Sequence, residues 1–165
     1  RTAVSQSESV ISRITMMQQE SPYQRLGGEA GVRELVDRFY DYMDSESEAH
    51  GVRTLHAKSL RASREKLFLF LSGWLGGPDL YVQKYGHPML RRRHLPFAID
   101  KTMRDQWMYC MNKALKDMPI ARSLRDRLSQ AFMATADHMR NQPEYNADQG
   151  LRIVGRPSDT NGTDQ

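Results

Sequence analysis

Near neutral pH, histidine is the side chain best able to offer an uncharged nitrogen to a metal, and this sequence holds five of them. His94 stands apart. It closes the run Leu90-Arg91-Arg92-Arg93-His94, with Pro88 ahead and Pro96 just beyond. Pro88 suits the first position of a helix and Pro96 disfavours helix at Leu95, so Met89 to His94 is expected to form little more than one turn. Leu90 lies four residues before His94 and shares its face, and Phe97 follows. One imidazole therefore stands on an apolar patch beside three arginines. Such a patch matches haem, an apolar disc with two carboxylates at its rim and an iron that takes an imidazole nitrogen. It also matches a half-exposed histidine in a basic loop, which on pattern alone is the commoner case.

The other candidates are weaker on pattern. His87 could also meet a ligand, but it precedes Pro88, where a cap or hydrogen-bonding role is the alternative. His56 reads as a surface histidine in a loop, and His50 and His138 as solvated ones. Arg91-Arg92-Arg93 could hold phosphates or carboxylates, or form a solvated face. Without interleaved aromatic residues the run gives little support to nucleic-acid binding. Tyr40 and Trp107 sit on apolar stripes, where a buried hydroxyl or indole N–H must find a partner. That partner could be a carbonyl in a plain core or a ligand in a pocket. No CxxC, HExxH, P-loop, GxGxxG or GxSxG occurs, which argues against zinc-finger, metalloprotease, nucleotide and serine-hydrolase chemistry. Without CxxCH, any haem is expected to be non-covalent.

The elements that position these residues read as helices. Val32, Leu35, Val36, Phe39, Tyr40 and Met43 recur at spacings of three and four after the Gly27-Gly28 break. Residues 45–62 read as short turns and a loop. Ser63 is expected to cap a second helix, with Leu67, Phe70, Leu71 and Trp74 as its buried stripe, stopped by Gly76-Gly77-Pro78. Asp100 can cap a third helix, with Met103, Trp107, Cys110, Met111, Ala114, Leu115 and Met118 along one face. Ser123 can cap a fourth, carrying Leu124, Leu128, Ala131, Phe132, Thr135 and Met139. No stretch alternates with period two, so an all-α domain is expected.

The 165 residues are enough for one domain, and the net charge of +4 is mild. The polar ends divide the chain into an extension over 1–20, a helical domain over 21–141 and a tail over 142–165 expected to be mobile. Val10, Ile11, Ile14 and Met17 could make the extension a short docked helix. A single cysteine permits no internal disulfide. No apolar run is long enough for a membrane span, and no leader-like apolar stretch opens the chain, so a cytoplasmic protein is expected.

From about Pro22 to Asn141 the chain resembles the group II truncated haemoglobins, the two-over-two globins. The resemblance rests on Leu26-Gly27-Gly28, Arg38-Phe39-Tyr40, Trp74-Leu75-Gly76-Gly77-Pro78 and Gly86-His87-Pro88. It continues through Leu90 to Phe97, then Arg104-Asp105-Gln106-Trp107, Cys110-Met111 and Ala136-Asp137-His138-Met139-Arg140-Asn141. It implies haem b sandwiched between two helix pairs, with His94 as the proximal iron ligand. Tyr40 and Trp107 would donate to a distal diatomic ligand such as O2, NO or CO. His56 stands where this family carries Tyr, Phe or His, and could donate to the ligand, hold a water or swing onto the iron. Ser63 would take the position usual for the distal histidine of longer globins, with Leu67 one turn on. Lys66, Tyr81 and Arg91 are implied as propionate partners, Phe70, Trp74 and Phe97 as walls, and His87 as a further haem contact. The implied function is oxygen, nitric oxide or peroxide handling rather than bulk transport. Peroxidase or nitric oxide dioxygenase activity with an external reductase is the alternative. A haem-free module binding nucleic acid or an acidic protein is a remote third. No nucleic acid and no membrane are expected as partners, and a monomer or weak dimer is expected.

Overall fold

The computed structural model describes residues 3–143. Nine α-helices occur among them: α1 (Ala3–Gln19), α2 (Pro22–Leu26), α3 (Gly28–Ser45), α4 (His50–Thr54), α5 (Arg61–Trp74), α6 (Leu80–Tyr85), α7 (Leu90–His94), α8 (Lys101–Asp117) and α9 (Arg122–His138). A 3-10 turn at Ser47–Ala49 leads into α4. No strand occurs among the described residues. Nearly all of the tail expected from residue 142 onward lies outside them.

Two helix pairs make the body. α3 packs on α5, α8 packs on α9, and α3 and α8 join the pairs. The stripe read along α3 is the centre of the core: Val32, Leu35, Val36, Phe39, Tyr40 and Met43 are all buried. Met108, Cys110, Met111, Ala114 and Leu115 meet it from α8, and Leu124, Leu128 and Phe132 close it from α9. Full burial of one such Leu, Phe or Met side chain stabilises by roughly 1.5–3 kcal/mol.

Local signals explain several boundaries. Ser21 accepts the N–H of Gln24, and the Gln24 side chain accepts the N–H of Ser21, with Pro22 at the first helical position. Gly27, at φ +111°, ends α2 and turns directly into α3, a conformation that L side chains rarely adopt. Asp100 caps α8 as expected, its Oδ1 accepting the Met103 N–H at 2.9 Å.

Other boundaries differ from the sequence reading. Ser63 lies inside α5, which starts after Leu60, and Ser59 accepts the Arg61 N–H at 3.4 Å. Ser123 lies inside α9, which starts after Ala121. Pro88 lies outside α7, whose N-cap is Met89 in the left-handed region. The segment read as short turns and a loop holds α4, and α6 forms between Pro78 and Gly86. The buried face of α5 is Phe68, Leu69, Leu71 and Ser72, whereas Leu67, Phe70 and Trp74 are only half-buried. Val10, Ile11 and Ile14 of α1 are 49–63% exposed, and the side chain of Met17 lies outside those described.

Candidate metal centre

His94 ends α7 and is half-buried. Its Nδ1 lies 2.6 Å from the carbonyl oxygen of Leu90. A carbonyl can only accept, so Nδ1 carries the proton and donates. The neutral ring then keeps its lone pair on Nε2, the arrangement that a metal-bound imidazole needs. Asn141 holds the backbone behind it: Nδ2 donates to the carbonyls of His94 at 3.2 Å and Phe97 at 2.7 Å, and Oδ1 accepts the Ile99 N–H at 2.9 Å. At the other end of α7, Met89 is at φ +43°, and His87 Nδ1 accepts its N–H at 3.1 Å. His87 thus holds the residue ahead of α7, the hydrogen-bonding role left open for it, while α7 has no side-chain cap.

Arg91 is directed toward α9 instead of outward. Its Nη1 donates to the carbonyls of His138 and Arg140 at the helix C-terminus. This departs from the propionate role that the resemblance implied. Around α6 and α7, Lys66, Lys84, Arg92 and Arg93 have no carboxylate partner among the described residues. Three of these lie over α6 rings: Lys66 Nζ and Lys84 Nζ are 5.8 Å and 5.3 Å from the Tyr85 centroid, and the Arg93 guanidinium is 5.6 Å from that of Tyr81. The two tyrosine rings lie 5.0 Å apart.

Tyr40 and Trp107 meet Phe39, and His56 meets Tyr40. The Tyr40 ring stands edge-on to Phe39 at 4.8 Å and to His56 at 5.8 Å, and Trp107 lies 4.9 Å from Phe39. Burial pushes the Tyr40 phenol well above its usual range, against smaller opposing effects from Arg64 and a hydrogen bond with Ser63. It therefore stays protonated and available as a donor. The indole N–H of Trp107 has no hydrogen-bond acceptor among the described residues.

His56 repeats the geometry of His94. Its Nδ1 donates to the carbonyl of Val52, four residues earlier, at 2.8 Å. Burial holds its pKa below the ordinary value, with Arg53 and His94 acting the same way and the Val52 bond opposing. The neutral ring presents a bare Nε2, which accepts. Of the three roles left open for His56, donation to a ligand is thereby confined to its protonated form.

The half-buried face of α5 provides walls. Trp74 stacks on Phe132 at 4.7 Å and 25°, Phe132 lies 5.8 Å from Trp107, and Phe70 meets Tyr81 at 6.2 Å. Leu67 belongs to the same face. Phe97 is 42% exposed, and no ring contact joins it to the others. Phe132, Asn141 and Gln106 were not singled out from sequence. Phe132 read as ordinary stripe, and Asn141 stood only at the end of a stretch that carries the resemblance. Gln106 carried only the signal of standing beside Trp107.

Among the described residues no group of three or more His, Cys, Asp or Glu is placed to hold a bare metal ion. One imidazole with a free nitrogen, apolar walls and unpaired cations suits a metal that brings its own chelating ring. The residues present therefore fit a haem. Comparison with known proteins agrees. Residues 21–141 match the family of bacterial-like globins. The group 2 truncated hemoglobin YjbI of Bacillus subtilis (strain 168) is 37% identical over 124 residues, 75% of this chain and 91% of that protein. The cold-adapted truncated hemoglobin of the Antarctic marine bacterium Pseudoalteromonas haloplanktis TAC125 is 52% identical. It aligns with a TM-score of 0.74 over 75% of this chain and all of that one. The group II 2-on-2 hemoglobin of Agrobacterium tumefaciens is 40% identical, with a TM-score of 0.73 over 75% of this chain and 96% of that one. The architecture is that of the truncated, two-over-two globins. The chain belongs to the bacterial-like globin family as a group II truncated haemoglobin, and so to a family of haem-based ligand binders.

Proposed function

We propose that this chain binds a non-covalent haem b through His94 and holds oxygen tightly, in oxygen or nitric oxide handling rather than bulk transport. The observation that carries the reading is the bond from His94 Nδ1–H to the Leu90 carbonyl, which leaves Nε2 as the free ligand atom. When bound, the haem supplies an iron that takes a diatomic ligand. Everything else falls to the chain. Leu67, Phe70, Trp74 and Phe132 keep the ring dry on its apolar faces. Lys66 and Arg93 meet the propionates beside Tyr81, while Arg91 fastens α7 to α9. Tyr40 and Trp107 offer the donors for partial negative charge on the ligand. Each such bond contributes on the order of 1.5–3 kcal/mol, which slows release.

Peroxidase chemistry is less well served. The partner of His94 Nδ1 is a carbonyl, and Asp100, the nearest acid in sequence, is spent on the Met103 N–H. A carboxylate that would make the imidazole more basic is not built in. Peroxide turnover is therefore expected to be no faster than with free haem.

The test is spectroscopic. The purified protein reconstituted with haem should show a Soret band that shifts with carbon monoxide, and His94→Ala should lose both. A His94→Ala protein with an unaltered carbonmonoxy spectrum would assign the iron ligand elsewhere.

A further inference from the structure

We infer that Gln106 is a positioning residue that fixes the tautomer of His56 through Val52. The inference rests on the reading of His56 as a distal residue.

α4 has five residues, and its first N–H groups have no partner within the helix. Its N-cap, Ala49, has no side chain to supply one. The acceptor comes from another element. Gln106, on α8, places Oε1 2.8 Å from the backbone nitrogen of Val52. The approach is close because residue 51 is glycine. A Cβ there would stand 2.4 Å from Met103 Cε and 2.8 Å from Gln106 Oε1. Val52 itself is buried. Its N–H is thus held by α8, and its carbonyl, which also accepts the Leu55 N–H at 3.2 Å, receives Nδ1–H of His56 at 2.8 Å. The bond to His56 decides which imidazole nitrogen carries the proton. With Nδ1–H held, Nε2 can only accept. If the Val52 carbonyl moved, the proton could shift to Nε2 and His56 would become a donor. Gln106 immediately precedes Trp107, so one turn of α8 carries a distal donor and the anchor that keeps the neighbouring histidine an acceptor.

The experiment uses the full chain loaded with haem, at about pH 8, above the ordinary histidine pKa of roughly 6.5. Ring 15N shifts of His56 in the carbonmonoxy form report the tautomer, and stopped-flow reports oxygen release. The parent protein should show the Nδ1–H form alone. Gln106→Leu should show a mixture of tautomers and an off-rate changed by about two- to tenfold, the scale of one neutral hydrogen bond. Gln106→Glu keeps an acceptor oxygen and should match the parent. In a His56→Phe background, Gln106→Leu should leave the off-rate unmoved. An unchanged single tautomer in Gln106→Leu would overturn the inference, as would the same off-rate change persisting without His56. If His56→Phe alone leaves oxygen release untouched, the distal reading of His56 is what fails, and the tautomer comparison still decides the role of Gln106.

Discussion

Tyr40 and Trp107, the proposed donors, and the histidine beside Tyr40 differ in when they can donate. Tyr40 keeps its proton because burial disfavours the phenolate, and an indole N–H does not titrate. Tyr40→Phe and Trp107→Phe are therefore each expected to raise the oxygen off-rate by about ten- to a hundredfold, the kinetic equivalent of a hydrogen bond to a charged acceptor. Stopped-flow release measurements check this, and unchanged rates in both would mean that neither donor meets the ligand. His56 behaves differently because its folded pKa is depressed. Between the folded and unfolded pKa values the unfolded chain binds more protons. The contribution of this residue to stability is present above about pH 6.5 and is lost as pH falls through the folded value. Denaturant unfolding between about pH 7 and pH 5 should show this slope, and His56→Phe should flatten it. Protonation also gives Nε2 a hydrogen, so oxygen release should slow at acid pH in the parent but not in His56→Phe. On pattern alone Tyr40, Trp107 and His94 read at least as well as core or loop residues, and it is the resemblance that gave them roles, since a stripe shows burial but not what a polar tip faces. The sequence could not show that His56 accepts, because that depends on a carbonyl one helical turn away.

At the level of elements, short helices depend on partners outside themselves. α8 carries its own cap, and Asp100→Ala should lower stability by about 1 kcal/mol, read as a drop in the thermal midpoint. α7 instead borrows its fastening from Asn141 and Arg91. Asn141→Ala should speed haem transfer to an excess of apomyoglobin while leaving the helix content of the body intact. Similar transfer rates in the two proteins would mean that Asn141 does not hold the loop that presents His94. α3, α5, α8 and α9 were legible because apolar residues recur along each at helical spacing. α4 and α6 have five and six residues, too short for periodicity to register. The expected caps at Ser63 and Ser123 assumed that a helix starts at a side-chain acceptor. α5 and α9 start after Leu60 and Ala121, neither of which provides a side-chain cap bond.

For the whole molecule, the core joins α3, α8 and α9, and Phe39 lies at its centre, fully buried. Phe39→Ala should cost about 3–5 kcal/mol in chemical denaturation and also disturb the ligand pocket, since the same ring touches Tyr40 and Trp107. α7 is the opposite case: it buries no side chain. Its stability is therefore set apart from that of the body, and it should open far more often than the chain unfolds. Amides of residues 90–94 in the apoprotein should exchange with deuterium orders of magnitude faster than those of α3. On the proposed ligation by His94, the prosthetic group would then be acquired late, by a scaffold already folded around Phe39, with α7 setting only as the metal arrives.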